Sequence, residues 1–410
     1  MMGINFFIVH KFNKTHSNLV PNFTNTRIYS HLRFVQTIKK GYFCSTFTDM
    51  LTNGHITLTD PIFIKKEKHN AFERFWLKFI NDERDLPFVR LSIKLLCIFP
   101  PMAVIIYFLS MNANTPWYLW WGVVAVYLFL DWAIFLGPFI LMLHNTSHRS
   151  FFKHKYKKWN NFIPWIIGPF FGETPETYFA HHVAMHHPEN NMEDDLSTTM
   201  PFRRDSVRGF LLYFSTFFFI GMGQLIGYHI KKKRTPIMWW MVVGEASFIL
   251  LCVALSITLS FKATLVVLII PLCFTRLMMM AGNWAQHAFV DAPAPGNCHR
   301  NSITCINTVY NKKSWNDGYH ISHHLRPNRH WTDHPKEFLD NIDAYIKEDA
   351  IVFHTIDFTT VWLFLMLKKY KTLAKYYVVL DPNVKMTEEE IIAKLKYRTR
   401  RIEDRQYVTA

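Results

Sequence analysis

The chain has 410 residues, half of them apolar and 16% aromatic, with a formal net charge of +15. That length would suit two or three soluble domains, but the apolar residues are gathered in runs long enough to cross a hydrocarbon core, which excludes a purely soluble protein. The positive charge sits in loops bordering those runs, at 153–158, 231–234 and 398–401, with no nucleic-acid motif beside it. Contact with anionic lipid head groups accounts for that placement, and no nucleic-acid partner is expected.

Residues 1–48 contain no Asp or Glu and are rich in Lys, Arg, Ser, Thr and Asn, the composition of an organellar transit peptide or of a basic tail. The predicted organisation is a basic N-terminal region over 1–87 ending in an interfacial helix, a membrane domain over 88–335, and a charged helical tail over 336–410. Runs 88–111 and 117–143 predict a first pair of spans, with Pro100 and Pro101 kinking the first. The stretch 162–179, broken by Pro164, Pro169 and Pro175, predicts an interfacial segment. The run 209–229, interrupted by Gly221, Gly223 and Gly227, is ambiguous; the positive-inside rule favours an interfacial or re-entrant segment. Run 237–282 would measure about 69 Å as one helix, so it must fold into a hairpin near residues 260–262. The fold class is therefore all-α and membrane-integral, with four transmembrane helices, cytosolic termini and a cytosolic helical cap. At the far end, Thr387 and Glu390 form a capping-box signature for an amphipathic surface helix over 387–405.

Four clusters carry the chemistry: His144/His148, His182/His186/His187, Asn283/His287 and His320/His323/His324. Spacings of three and four residues place side chains on one helical face, so the rings of each cluster aim at a common centre. A zinc site takes three or four ligands, so nine imidazoles point to two metal ions with room for a substrate. Imidazole suits iron, copper, nickel and zinc alike. On four spans all the clusters emerge on one side of the bilayer. His181 points about 100° away from the His182/His186 face and is not a ligand. His154, His299, His330, His334 and His354 have no partner at ligand spacing and are read as surface or supporting residues. Glu193, Asp194, Asp195, Asp291 and Asp317 are candidates to receive the outer N–H of a ligating ring. Asp131, Glu245 and Arg276 are charges inside spans, and a pair of Arg276 with Asp131 or Glu245 would relieve them. Trp117, Trp120, Trp121, Trp239 and Trp240 read as interfacial anchors. The six cysteines are scattered and suggest no disulfide framework.

His144-Asn-Thr-Ser-His148, His182-Val-Ala-Met-His186-His187 and His320-Ile-Ser-His323-His324 resemble the three histidine boxes of the membrane fatty acid desaturase and hydroxylase superfamily. Asn283-Trp-Ala-Gln-His287 resembles the additional N-x-x-x-H element of the acyl desaturases. The resemblance spans residues 88–335. It implies four transmembrane helices under a cytosolic cap holding two non-haem iron ions, with His144, His148, His182, His186, His187, His287, His320, His323 and His324 as ligands and Asn283 acting through water. The three-residue gap in the second box and the run Leu325-Arg-Pro-Asn-Arg-His-Trp331 after the third resemble the bacterial alkane monooxygenases. The implied activity is O2-dependent oxidation of a fatty acyl chain, as a desaturase or, alternatively, a hydroxylase. Electrons would come from an external cytochrome- or ferredoxin-type protein, since no flavin or nicotinamide glycine motif is present. The membrane expected is that of the endoplasmic reticulum; the acid-free N-terminus also suits a mitochondrion or plastid. A membrane zinc hydrolase lacks its H-E-x-x-H here, and a metal transporter would place its ligands within the spans.

Overall fold

Uninterrupted apolar sequence dictates long helices, and these organise the chain. The structure, a computed structural model, describes residues 51–53 and 56–402. The basic stretch read as a transit peptide or tail lies outside the described residues. Two short strands, β1 (Leu51–Asn53) and β2 (Ile56–Leu58), pair antiparallel ahead of the helices. Helix α1 (Leu86–Met111) starts with a proline in its first turn and continues through Pro100 and Pro101 without a break. Helix α2 (Trp117–His148) contains a π-helical turn at Leu130–Phe135, holding the buried Asp131, and ends by presenting His144 and His148. Helix α3 (Val207–Lys231) is capped by the Ser206 hydroxyl on the Gly209 amide.

The apolar stretch Thr235–Gln286 does not run straight. Ser260 is extended (φ −161°) and its hydroxyl caps the Ala263 amide, separating α4 (Thr235–Leu255) from α5 (Ile270–Gln286). Glu245 on α4 and Arg276 on α5 are 3.0 Å apart. Thirty-one residues of straight helix would hold them about 46 Å apart, so the stretch is the expected hairpin. Its tip meets α1, through Ser110 to Ser260 at 2.6 Å and Tyr107 to Thr264 at 2.8 Å. The pairing of Arg276 is thus with Glu245 and not Asp131, whose position on α2 leaves both carboxylate oxygens without a hydrogen-bond partner.

Four helical stretches, Glu83–Met111, Trp117–His148, Val207–Lys231 and Thr235–Gln286, are long and apolar enough to cross a membrane. Helix α3 is continuous through Gly221, Gly223 and Gly227, against the expectation of a broken segment. Both of its ends nevertheless bind one stretch of chain: Tyr213 donates to the Ser197 carbonyl, while His229 donates to that of Ala180 and Tyr228 to Glu189. It therefore does not separate the histidine clusters. Segment 162–179, expected at the interface, instead wedges into the spans, because Phe171 finds apolar partners between Phe139 (4.2 Å) and Phe99 (4.7 Å). Trp117, Trp121, Trp239 and Trp240 are exposed as anchors should be. Trp120 is not: it is buried, donates to the Ile106 carbonyl and has the Lys262 ammonium over its ring.

Past α5 the chain forms β3 (Ile303–Ile306), helix α6 (His320–Leu325), β4 (Ile351–His354) and α7 (Phe358–Met366). The parallel pair β3–β4 anchors a second core, over which the tail helix α8 (Glu388–Arg398) lays Ile391 and Leu395. The Thr387–Glu390 capping box is present, and the helix ends at Arg398, which pairs with Asp349 at 2.8 Å.

The wedge approaches its neighbours too closely for side chains at two points. Gly172 (φ +70°) lies on the backbone of Leu272, and a Cβ at Gly244 would overlap the Pro175 carbonyl. Gly244→Ala is expected to cost about 1–3 kcal/mol and lower the thermal midpoint. Gly122→Ala, whose added methyl meets nothing within 4 Å, should be neutral or slightly stabilising in the same unfolding assay.

Candidate metal centre

The end of α2, the π-helical turn Phe179–His186, the end of α5 and helix α6 converge, and they bring all nine predicted histidines together. The rings form two groups: His144, His148, His182, His187 and His323; and His186, His287, His320 and His324. Within each group the ligand nitrogens lie within 4.8 Å of one another, so each could hold a metal ion. The adjacent pairs His186–His187 and His323–His324 each divide between the groups, as neighbouring residues on a helix point about 100° apart. One expectation is corrected: His182 does not share a centre with His186 but with His187. In the π-helical turn the His187 amide bonds the His182 carbonyl, so the face-sharing interval is five residues and not four.

At four of the rings the outer edge fixes the tautomer. The Nδ1 of His186 lies 2.7 Å from Asp195, that of His287 3.0 Å from the Asn301 carbonyl, that of His324 3.0 Å from the Asn190 amide oxygen and that of His144 3.3 Å from Asp317. These partners accept, so each Nδ1 carries the hydrogen and Nε2 turns a lone pair inward. The inner nitrogens are left without adequate partners. His148, His186 and His324 have buried Nε2 atoms with no hydrogen bond. His323 Nε2 faces His144 Nε2 and His187 Nε2, each at 2.8 Å, though one nitrogen can share only one proton. Converging lone pairs repel unless a cation lies among them, and nitrogens about 2.1 Å from one ion sit about 3 Å apart. The residues fit a metal pair.

Charge agrees. Burial first, then neighbouring imidazoles, hold His182, His187, His320, His323 and His324 well below the ordinary histidine range, and the same causes place His287 at about 4. Neutral imidazole is the ligating form. Burial alone would raise Asp195, but His186 and bonds from Ser197 hold it at about 2, an anion behind the ring it orients.

Of the other acids considered, Asp194 is engaged by Lys231 and Lys232 and Asp291 by Arg300, while Glu193 is exposed; none supports a ring. Asn283 lies in the wall of the cavity beside the groups, and its amide donates to Tyr213 and to the Ser197 carbonyl, tying α5 to α3. His181 packs on Phe217, outside both groups. His330 and His334 are buried and paired with Asp85 and Ser322, the latter on α6 between ligand positions. Sequence reasoning missed Asn190, Asn191 and Asn301. Asn190 and Asn191 adopt left-handed backbone (φ 49° and 61°), ending the second box, and Asn191 bonds Asn301 at 2.8 Å. Two consecutive asparagines directly after a helical motif were the available signal.

A cavity of about 490 Å³ reaches the centre, with His144, His182, His186 and His320 in its wall. It extends between the spans, edged by Ala133 and Ile134 on the exposed face of α2. Helices with apolar outer surfaces, two groups of buried or half-buried imidazoles and a cavity that reaches them describe a membrane protein with a candidate metal site.

Residues 115–356, more than half of the chain, match the fatty acid desaturase family, and the chain belongs to it. That range takes in every histidine of both groups and ends just past β4. No curated protein and no solved structure gives a significant match.

Asp195→Asn should weaken metal binding about 10–100-fold, read by metal content after dialysis. Acid should release the metal too. His287 is lowered from 6.5 to about 4, so the proton-free folded form is favoured above pH 6.5 and loses that advantage as pH falls toward 4. Metal content across that window is expected to decline with acidification and to recover on return to neutrality with added metal.

Proposed function

We propose that this protein is an O2-dependent oxidoreductase that removes two hydrogens from a fatty acyl chain to form a C=C bond. The observation that carries the reading is the pair of histidine groups, in which the buried Nε2 atoms of His148, His186 and His324 have no hydrogen-bond partner, beside a cavity with His144, His182, His186 and His320 in its wall. His144, His148, His182, His187 and His323 would hold one iron ion, and His186, His287, His320 and His324 the other. Asn283 contributes by fixing α3 against α5, with a water-mediated role as the residual expectation. Bound there, the pair supplies the O2 chemistry that no side chain can perform.

The chain's own residues do the rest. Asp195, Asp317, Asn190 and Asn301 hold the imidazoles in their ligating tautomer and orientation. Leu136, Ile140 and Leu141 on α2 give the cavity an apolar wall that excludes water and aligns a hydrocarbon beside His144. Desaturation balances as one acyl CH2–CH2 unit, O2, two electrons and two protons giving CH=CH and two waters. Hydroxylation on the same site consumes the same electrons and protons and gives an alcohol and one water; the alkane-monooxygenase-like second and third boxes favour it as the second reading. Both need two electrons from an external donor, which would meet the chain on the cytosolic side. Lipid profiles of cells expressing wild type or His186→Ala test the proposal. Wild type should yield a lipid lighter by two hydrogens, and His186→Ala at least about a hundredfold less. A product heavier by one oxygen from labelled O2 selects the hydroxylase, and identical profiles overturn both.

A further inference from the structure

The cavity is not wholly apolar. Between the centre and the hairpin its wall carries Glu173, Thr174, Thr275 and Arg276. Arg276 is already matched, 3.0 Å from Glu245 and within reach of Thr174. Glu173 and Thr275 are not: Glu173 is 5% exposed and Thr275 0%, and neither Glu173 Oε1 nor Thr275 Oγ1 has a hydrogen-bond partner. A plain hydrocarbon would leave both groups buried and unsatisfied, which is unfavourable. An ionised head group would add an unmatched charge, because Glu245 has taken that of Arg276. Burial pushes the Glu173 carboxyl up to about 8, so at neutral pH it is an acid that offers both an O–H donor and an acceptor. Thr275 is eleven residues before Gln286, the last residue of α5 and the neighbour of His287, about 17 Å of helix, so a group held there stands at a fixed remove from the histidine groups.

We propose that the cavity takes a lipid whose chain bears an uncharged hydrogen-bonding group, a hydroxyl or an amide, which docks on Glu173 and Thr275 and sets which carbon lies against the metal pair. This rests on the lipid-oxidising reading of the centre and names its substrate class. The structural ties in the region are already accounted for by Thr177 to Glu245 and Arg276 to Thr174, and neither uses the free atoms of Glu173 and Thr275.

The test is binding of radiolabelled octadecanol, octadecanamide and octadecane to the metal-loaded full chain in nanodiscs, which requires no turnover. Wild type should prefer the alcohol and the amide to the alkane by at least about tenfold. Glu173→Leu should bring the three within about twofold, and Glu173→Gln, which keeps neutral hydrogen bonding, should retain most of the preference. Thr275→Val, close to isosteric, gives the same readout should Glu173→Leu not fold, and is expected to cut the preference. Equal wild-type affinities, or a preference that survives both Glu173→Leu and Thr275→Val, overturn the proposal. A protein that shows the preference yet oxidises no lipid refutes the oxidoreductase reading alone. One that oxidises lipids but binds all three probes equally refutes only the substrate class.

Discussion

The inward lone pairs of nine imidazoles are the constraint on which the structure depends. Each ring must be dry, neutral and correctly turned, and these demands conflict unless every outer N–H has somewhere to go. At four of the rings the chain meets them with partners drawn from distant stretches: Asp195 and Asp317 as carboxylates, Asn190 through its side chain, Asn301 through its carbonyl. The asparagine network around residue 191 then joins the second box to the segment that orients His287. Without that scaffold the same residues would be a mutually repelling cluster.

The membrane helices serve the same end. α2 and α5 carry His144, His148 and the His287 junction to one level, and the hairpin at Ser260 returns α5 to that level beside α4. The wedge ending at Gly172 packs its aromatic tip between α1 and α2 and places Glu173 and Thr174 in the cavity wall. One short loop thus joins span packing to the shape and polarity of the space beside the histidine groups.

Much of this was legible from residue spacing. The histidine clusters were identifiable because closely spaced imidazoles repel one another when protonated and need a reason to gather, and the hairpin followed from helix length against bilayer thickness. The Thr387 cap was readable because its partners are three residues apart. What escaped depended on tertiary neighbours. Trp120 reads as an anchor by position, but the Lys262 ammonium and the Ile106 carbonyl reach it only once the hairpin tip has folded against α1 and α2. Likewise the choice of Glu245 over Asp131 for Arg276 is made by a helix pairing that local sequence does not encode, and the asparagine supports act across more than a hundred residues.

The second box winds more loosely than an ordinary helix, and this has an evolutionary corollary. Because the turn at Phe179–His186 closes through the His187 amide on the His182 carbonyl, the count of residues between the box histidines and the local winding form a matched set. A relative with one residue more or fewer in that interval can keep the same nuclearity only by rewinding the segment. Box spacing across such chains is therefore a record of helical pitch, and comparing intervals without their winding would pair imidazoles that belong to different groups.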